Sequence, residues 1–165
     1  LSHVAHSMEL IRFELGGRFF SIDTDLVLGL VTLGPHVLHV PDSVTFNNEE
    51  IPVFRLDRLL NIKDEEGYPF PPREILVLRG TKDSFGMAVD WVGEIYRVST
   101  SRAVFRFPES TASRIDMFGI WGVAVLDGTV TLIIEPEALI VNERHRIETM
   151  PPTPTGDQAI RTHQL

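Results

Sequence analysis

Two fifteen-residue stretches, Phe46–Leu60 (FNNEEIPVFRLDRLL) and Leu126–Ile140 (LDGTVTLIIEPEALI), follow one pattern eighty positions apart. In each, two turn-forming residues separate two apolar runs, and a proline-containing segment then leads into a helix-like turn. Asparagine tolerates a positive φ better than most residues, so Asn47-Asn48 reads as a tight hairpin turn. Asp127-Gly128 is the strongest short hairpin signal a sequence carries. Asn47 matches Asp127, Asn48 matches Gly128, Val53 matches Ile133 and Leu59 matches Leu139. One hairpin unit used twice restricts the chain to a duplicated, sheet-based architecture.

The flanking segments extend the repeat. Met8–Leu15 alternates with period two, putting Met8, Leu10, Arg12 and Glu14 on one side and Ile11, Phe13 and Leu15 on the other, as in a strand. Gly16-Gly17 supplies a turn and Arg18–Asp23 the returning strand. Leu26–Leu33 is a third β-rich run in which Gly29 permits a bend or bulge. Pro35 and Pro41 punctuate a loop before the hairpin at Val44–Arg55, and Asp57–Ile62 reads as one helical turn. In the second half Ile75–Arg79 stands against Ile11–Leu15, Phe85–Asp90 against Arg18–Asp23, and Glu94–Ser99 is a further strand. A longer connection, Ala103–Phe118, carries a short helix at Glu109–Met117. The hairpin at Gly119–Ile134 follows, and Glu135-Pro136 opens a helical turn, since proline is welcome at the first helical position.

This organisation divides the chain into an N-terminal extension (1–8), a first half (9–62), a proline-rich linker (63–73), a second half (74–141) and a polar tail (142–165). The two halves and their linker form one domain over 9–141. Each half offers about five short strands over roughly 60 residues, the size of a small closed barrel. A unit that small is marginal alone, so the two halves are expected to pack on each other in an all-β fold.

Bulk properties narrow the function. A net charge of −8 over 165 residues lacks the basic footprint that nucleic acid or an anionic membrane surface requires. No apolar run reaches the length of a membrane span; the longest, Leu26–Leu33, contains a glycine and a threonine. The absence of cysteine excludes a disulfide framework and thiolate chemistry, and fits a cytoplasmic protein. The leucine start reads as a processed end, and no charged-then-apolar leader opens the sequence.

Catalytic arrangements are missing. There is no G-x-S-x-G, no phosphate-binding loop and no G-x-G-x-x-G after a strand, so neither an enzyme nor a cofactor is expected. His36 with His39, and His3 with His6, lie in loops without acidic or cysteine partners at ligand spacing, and no metal site is expected. Asp23 and Asp90 hold equivalent strand-end positions, where a carboxylate accepts backbone N–H bonds from the following turn. Trp91 and Trp121 are expected in the core. Val27, Leu28 and Leu30, matched by Val92, Ile95 and Tyr96, put apolar groups on both faces of their strands. Some of these must stay on the surface, forming a strip that a helical partner would bury.

These residues resemble a family. Ile51-Pro52-Val53 with Leu56 and Leu59-Leu60, the run Gly122–Gly128 with Leu132–Ile140, and the phrase FGMAVDWVGEI (Phe85–Ile95) are similar to the CheW domain of bacterial chemotaxis coupling proteins. The resemblance covers roughly Glu9–Val141. It implies two intertwined five-stranded SH3-like barrels with a groove between them, and a non-enzymatic scaffold. Such a scaffold binds the regulatory domain of a CheA-type histidine kinase, itself of the same fold, and takes the cytoplasmic tip of a chemoreceptor in the groove. The candidate interaction residues are the apolar strip Val27, Leu28 and Leu30 together with the turn region Phe46, Asn47, Asn48 and Glu49. The chain departs from the family at Asn47 and Asn48, where arginine and glycine are usual, and at Arg55, where aspartate is usual; the loop Gly34–Ser43 is shorter. Asparagine replaces neither the charge nor the reach of arginine, so receptor-tip binding is expected to be weak. The alternatives are a CheW-like adaptor in a non-motility signalling complex, and a barrel that binds a small ligand.

Overall fold

The computed structural model describes residues 6–60, 62, 72–108 and 119–141. The proposed linker (apart from Pro72 and Arg73), the helix expected at 109–117 and the tail from 142 lie outside these residues.

Among the described residues eleven strands run in the order β1 (Ser7–Leu15), β2 (Arg18–Asp23), β3 (Val27–Thr32), β4 (Ser43–Phe46), β5 (Glu49–Arg55), β6 (Glu74–Leu78), β7 (Phe85–Val89), β8 (Trp91–Ser99), β9 (Val104–Arg106), β10 (Ile120–Leu126) and β11 (Thr129–Ile134). A short helix, α1 (Leu56–Leu59), follows β5, and residues 136–141 are helical after β11, as the repeat requires. All three expected hairpins are present. Gly16-Gly17, Asn47-Asn48 and Asp127-Gly128 each hold positive φ at both central positions, from 49° to 75°, the signature of a turn whose twist matches its flanking strands.

The strands form two sheets, β3-β6-β7-β5-β4 and β8-β1-β2-β11-β10-β9. The first is the first barrel and the second the second barrel. Each reproduces the other, with β3 standing for β8, β6 for β1, β7 for β2, β5 for β11 and β4 for β10. Each barrel is assembled from both halves of the chain: the hairpin β1–β2 belongs to the second barrel and β6–β7 to the first. Parallel pairings, β5 with β7 and β11 with β2, join the exchanged hairpins to their hosts. The intertwined two-barrel architecture is therefore present, and the short strand β9 adds a sixth strand to the second barrel.

Pairing corrects one detail of the repeat. Leu78 faces Phe85 as Leu15 faces Arg18, so Glu74–Leu78, not Ile75–Arg79, corresponds to Ile11–Leu15. A shift of one residue exchanges the two faces of a strand. In the corrected register Leu76 and Leu78 match Phe13 and Leu15, and all four lie in the same central apolar layer.

That layer separates the barrels and includes Ile11, Phe20, Ile22, Leu56, Met87, Ile134, Leu139 and Ile140. Leu59, the mate of Leu139, packs against it. The other face of each sheet forms a barrel interior. Ile51, Ile75, Val77 and Ala88 are buried in the first barrel; Leu10, Ala124, Leu126 and Ile133 cluster in the second, with Met8, Tyr96, Val98 and Trp121 against them.

The two strand-end aspartates have different partners. Asp23 Oδ1 accepts the Asp25 N–H at 2.9 Å and caps the 3₁₀ turn Thr24–Leu26, as expected. Asp90 Oδ2 accepts the N–H of Gly16 at 2.8 Å, tying the β1–β2 turn to the start of β8.

Candidate protein-interaction site

The residues proposed from sequence occupy two neighbouring segments of the first barrel, β3 and the β4–β5 turn. β3 is the outer strand of its sheet and pairs only with β6 among the described residues. Its ladder shifts between Val27 and Gly29, the bulge that Gly29 suggested. The extra residue resets the alternation. Val27, opposite Leu78, packs half-buried on the central layer, and Leu30, opposite Leu76, points to that same face but is 44% exposed. Leu28, within the bulge, is also exposed. On the matching strand β8, Val92 faces Phe13 and packs on the central layer, whereas Ile95, opposite Ile11, is exposed. Because Phe13 corresponds to Leu76, the ladder makes Val92 the counterpart of Leu30 and Ile95 that of Thr32, correcting the match of Val27 to Val92 read from the sequence. Tyr96 lies on the other face, within the second barrel.

Phe46 links β3 to the β4–β5 turn. Its ring covers Gly29 so closely that a Cβ on that glycine would fall 2.5 Å from Phe46 Cζ. Because Gly29 pairs with Val77, this contact lies on the interior face, behind Leu30. Phe46 thus fastens the two outer strands of the first sheet together, while Asn47, Asn48 and Glu49 stay exposed at the turn. Below them Ser43 Oγ donates to Glu50 Oε1 at 2.7 Å. Phe46 therefore joins β3 to the β4–β5 turn from the interior side, with Leu30 on the opposite face of β3.

Arg55, where the resemblance leads one to expect aspartate, forms a two-point contact with Asp57: Nε donates to Oδ1 at 3.1 Å and Nη2 to Oδ2 at 2.5 Å. Asp57, two positions further along, lies in the first turn of α1, where a carboxylate favours the helix N-terminus. Arg73 holds the preceding loop, its Nη1 donating to the carbonyl of Val37 at 3.2 Å.

A second apolar strip was not anticipated. On β10, Ala124 and Leu126 point into the second barrel, so Val123 and Val125 point outward. Val123 pairs with Phe105 on β9, and Val125 with Val130 on β11. Phe105, Val125 and Val130 are all exposed, Val130 to 62%. The signal was available in the alternation of β10, but β9 is only three residues long and exists through its pairing with β10.

Trp91 overturns its expected place in the core. It is 46% exposed, because it opens β8 at the rim of the second barrel opposite Glu14. Its ring folds back over Gly93, where a Cβ would meet it at 2.7 Å. Trp121 packs half-buried against the second-barrel cluster, with the Arg106 guanidinium 4.8 Å from its ring centroid.

Among the described residues no cluster of three His, Asp or Glu side chains could hold a metal ion. No helix among them is long and apolar enough to cross a membrane.

Comparison with known proteins agrees with this architecture. A sequence comparison with curated proteins finds no match. Among solved structures, the scaffolding protein TtCheW from Thermoanaerobacter tengcongensis superposes with a TM-score of 0.63 at 20% identity, covering 81% of this chain and 92% of that one. At that identity the likeness speaks for the fold. The family model of the CheW-like domain matches residues 9–144. With the model spanning most of the sequence and both barrels in place, the chain belongs to the CheW-like domain family.

Proposed function

We propose that this chain is a cytoplasmic, non-enzymatic scaffold of a chemotaxis-type signalling system, coupling the cytoplasmic tip of a chemoreceptor to a CheA-type histidine kinase. One observation carries the reading. The exposed apolar side chains include two separate strips, Leu28 and Leu30 on β3 of the first barrel and Phe105, Val125 and Val130 on β9–β11 of the second. A coupling protein needs two surfaces that can be occupied together, whereas a ligand-binding barrel needs one enclosed site.

In this reading Val27, Leu28 and Leu30, with Phe46, Asn47, Asn48 and Glu49 beside them, receive the helical receptor tip. An amphipathic helix buries its apolar face on such a strip. The regulatory domain of the kinase docks on the second-barrel strip. Asn47 makes the receptor contact weak, because it offers no charge to the partner.

Calorimetry with the two partners separates the surfaces. Leu30→Asp is expected to weaken receptor-tip binding at least tenfold and leave the kinase domain unaffected; Val130→Asp is expected to do the reverse. Asn47→Arg should tighten the receptor tip. If either aspartate variant weakens both partners equally, or neither partner gives heat with the wild type, the reading fails.

A further inference from the structure

The corrected repeat sets the interiors of the two barrels side by side, and Arg12 is the outlier. With Glu74–Leu78 matched to Ile11–Leu15, Arg12 corresponds to Ile75, which is fully buried in the first barrel. Arg12 shares its face of β1 with Met8 and Leu10, both packed in the second-barrel cluster. A guanidinium therefore stands in the second barrel at the position where the first has a buried isoleucine.

Its surroundings are unusual for a structural arginine. Arg12 Nε is buried and has no hydrogen-bond partner. No ion pair reaches the guanidinium among the described residues. Its two close neighbours are aromatic: the Phe19 ring centroid lies 5.3 Å from Cζ and that of Tyr96 5.2 Å. Trp91, folded over Gly93 beside the Arg12 carbonyl, adds a third ring to the same rim. Stacking on aromatic faces holds a cation without using its N–H groups, and the buried Nε–H is left without an acceptor.

We propose that Arg12 is a binding site for a carboxylate group at the mouth of the second barrel. A carboxylate presents two coplanar oxygens that match the guanidinium fork and would supply the acceptor that the buried Nε–H lacks. A doubly charged phosphate fits less well. Glu14 lies two positions on along the same face, and the whole chain carries a net charge of −8. The carboxylate comes either from a small organic acid or from an Asp or Glu side chain of a bound protein segment. Both sources share the same two-oxygen contact. This inference is independent of the two strips described above, since it concerns the barrel interior and not the outer faces.

The full chain and Arg12→Met are compared by thermal melting in sodium acetate and in sodium chloride at equal ionic strength, and with a blocked Gly-Asp-Gly peptide. The wild type is expected to melt higher in acetate or with the peptide, and the increment is expected to vanish in Arg12→Met. In chloride, Arg12→Met should melt at or above the wild type, because the unbranched apolar chain removes the orphaned N–H while keeping much of the volume. A response to acetate assigns the site to small organic acids, and a response to the peptide alone assigns it to a protein side chain. The wild-type Arg12 Nε–H resonance provides a measurement independent of any variant, and should shift saturably with the responding carboxylate. Equal increments in both proteins, a resonance that does not move, or an Arg12→Met protein that melts well below wild type in chloride would each overturn the proposal.

Discussion

The two barrels share one topology and differ in what fills them. In the first, the inward positions Ile51, Ile75, Val77 and Ala88 are all buried and apolar. Their counterparts in the second are Thr131, Arg12, Glu14 and Ser21. Thr131 and Ser21 are fully buried and share a hydrogen bond of 2.9 Å between their hydroxyls; Thr131 also reaches the Ala124 carbonyl at 3.3 Å. Gly86 in the first barrel makes room for Ile75 and Val53, and its counterpart in the second is Phe19, beside Arg12. The parallel pairing shifts accordingly. Val53 faces Gly86, whereas its mate Ile133 faces Ser21, two positions further along. An even shift preserves the faces of a strand, so the duplicated fold absorbs it. Duplication thus conserves which way each side chain points, while the chemistry of each interior diverges.

Exchanging residues between the barrels tests this asymmetry. Ile75→Arg, which puts the second-barrel residue into the first, is expected to cost at least about 4 kcal/mol, since an unpaired charge would replace a fully buried side chain. Circular dichroism should show no cooperative melt; a native-like melt would mean that the first interior is as tolerant as the second.

The residues before the two matched hairpin turns provide the next comparison. Leu126 is fully buried, whereas its counterpart Phe46 is half-buried against Gly29. Leu126→Ala should cost about 3 kcal/mol and Phe46→Ala about half as much, measured by urea unfolding. The opposite order would make Phe46 the larger contributor to closure.

The buried hydroxyl pair should have a smaller effect. Ser21→Ala is expected to cost about 1–2 kcal/mol, by leaving Thr131 with only its longer bond to the Ala124 carbonyl. Adding Thr131→Val should cost less than the sum of the single changes, with a coupling of about 1 kcal/mol. Strict additivity would remove the pair from the account of how β2 joins β11.

The smallest expected effect lies at the β6–β7 turn. Thr81 donates both its hydroxyl and its backbone N–H to Glu137 Oε1, and these two bonds hold the Glu137 carboxyl below its ordinary pKa. A depressed carboxylate pKa stabilises the fold above the ordinary value, and that contribution is lost as pH falls through the folded value. Wild type and Thr81→Val should therefore differ slightly at neutral pH and converge in acid. A gap that widened in acid would contradict the assignment.

Much of the fold could be read from the sequence because positive φ restricts which residues a turn accepts. Gly16-Gly17, Asn47-Asn48 and Asp127-Gly128 are recognisable for that reason, and the helical turn opened by Pro136 follows from its fixed φ. The family and the intertwined plan came from resemblance. Nothing local to β1–β2 distinguishes pairing with β8 and β11 from pairing with β3 and β5, because either arrangement would satisfy the same alternation. The placement of the candidate residues is readable in part. Leu28 and Leu30 were recognised as excess apolar residues, but the bulge that aims Leu30 at the face of Leu76 needed the ladder. Trp91 reads as core because tryptophan is large and apolar on average, while its place at the start of β8 puts it on the rim. The alternation of β1 puts Arg12 on the side of Met8 and Leu10, but that side becomes a barrel interior only through the exchange of hairpins.

The central claim is that the first and second barrels present separate partner surfaces. Hydrogen exchange of the full chain, alone and saturated with the regulatory domain of a CheA-type kinase, tests it most directly. The account predicts new protection in β9–β11 around Phe105, Val125 and Val130, with Leu28, Leu30 and the Asn47-Asn48 turn exchanging as in the free protein. Protection centred on β3 and the Asn47-Asn48 turn, with β9–β11 unchanged, would contradict it.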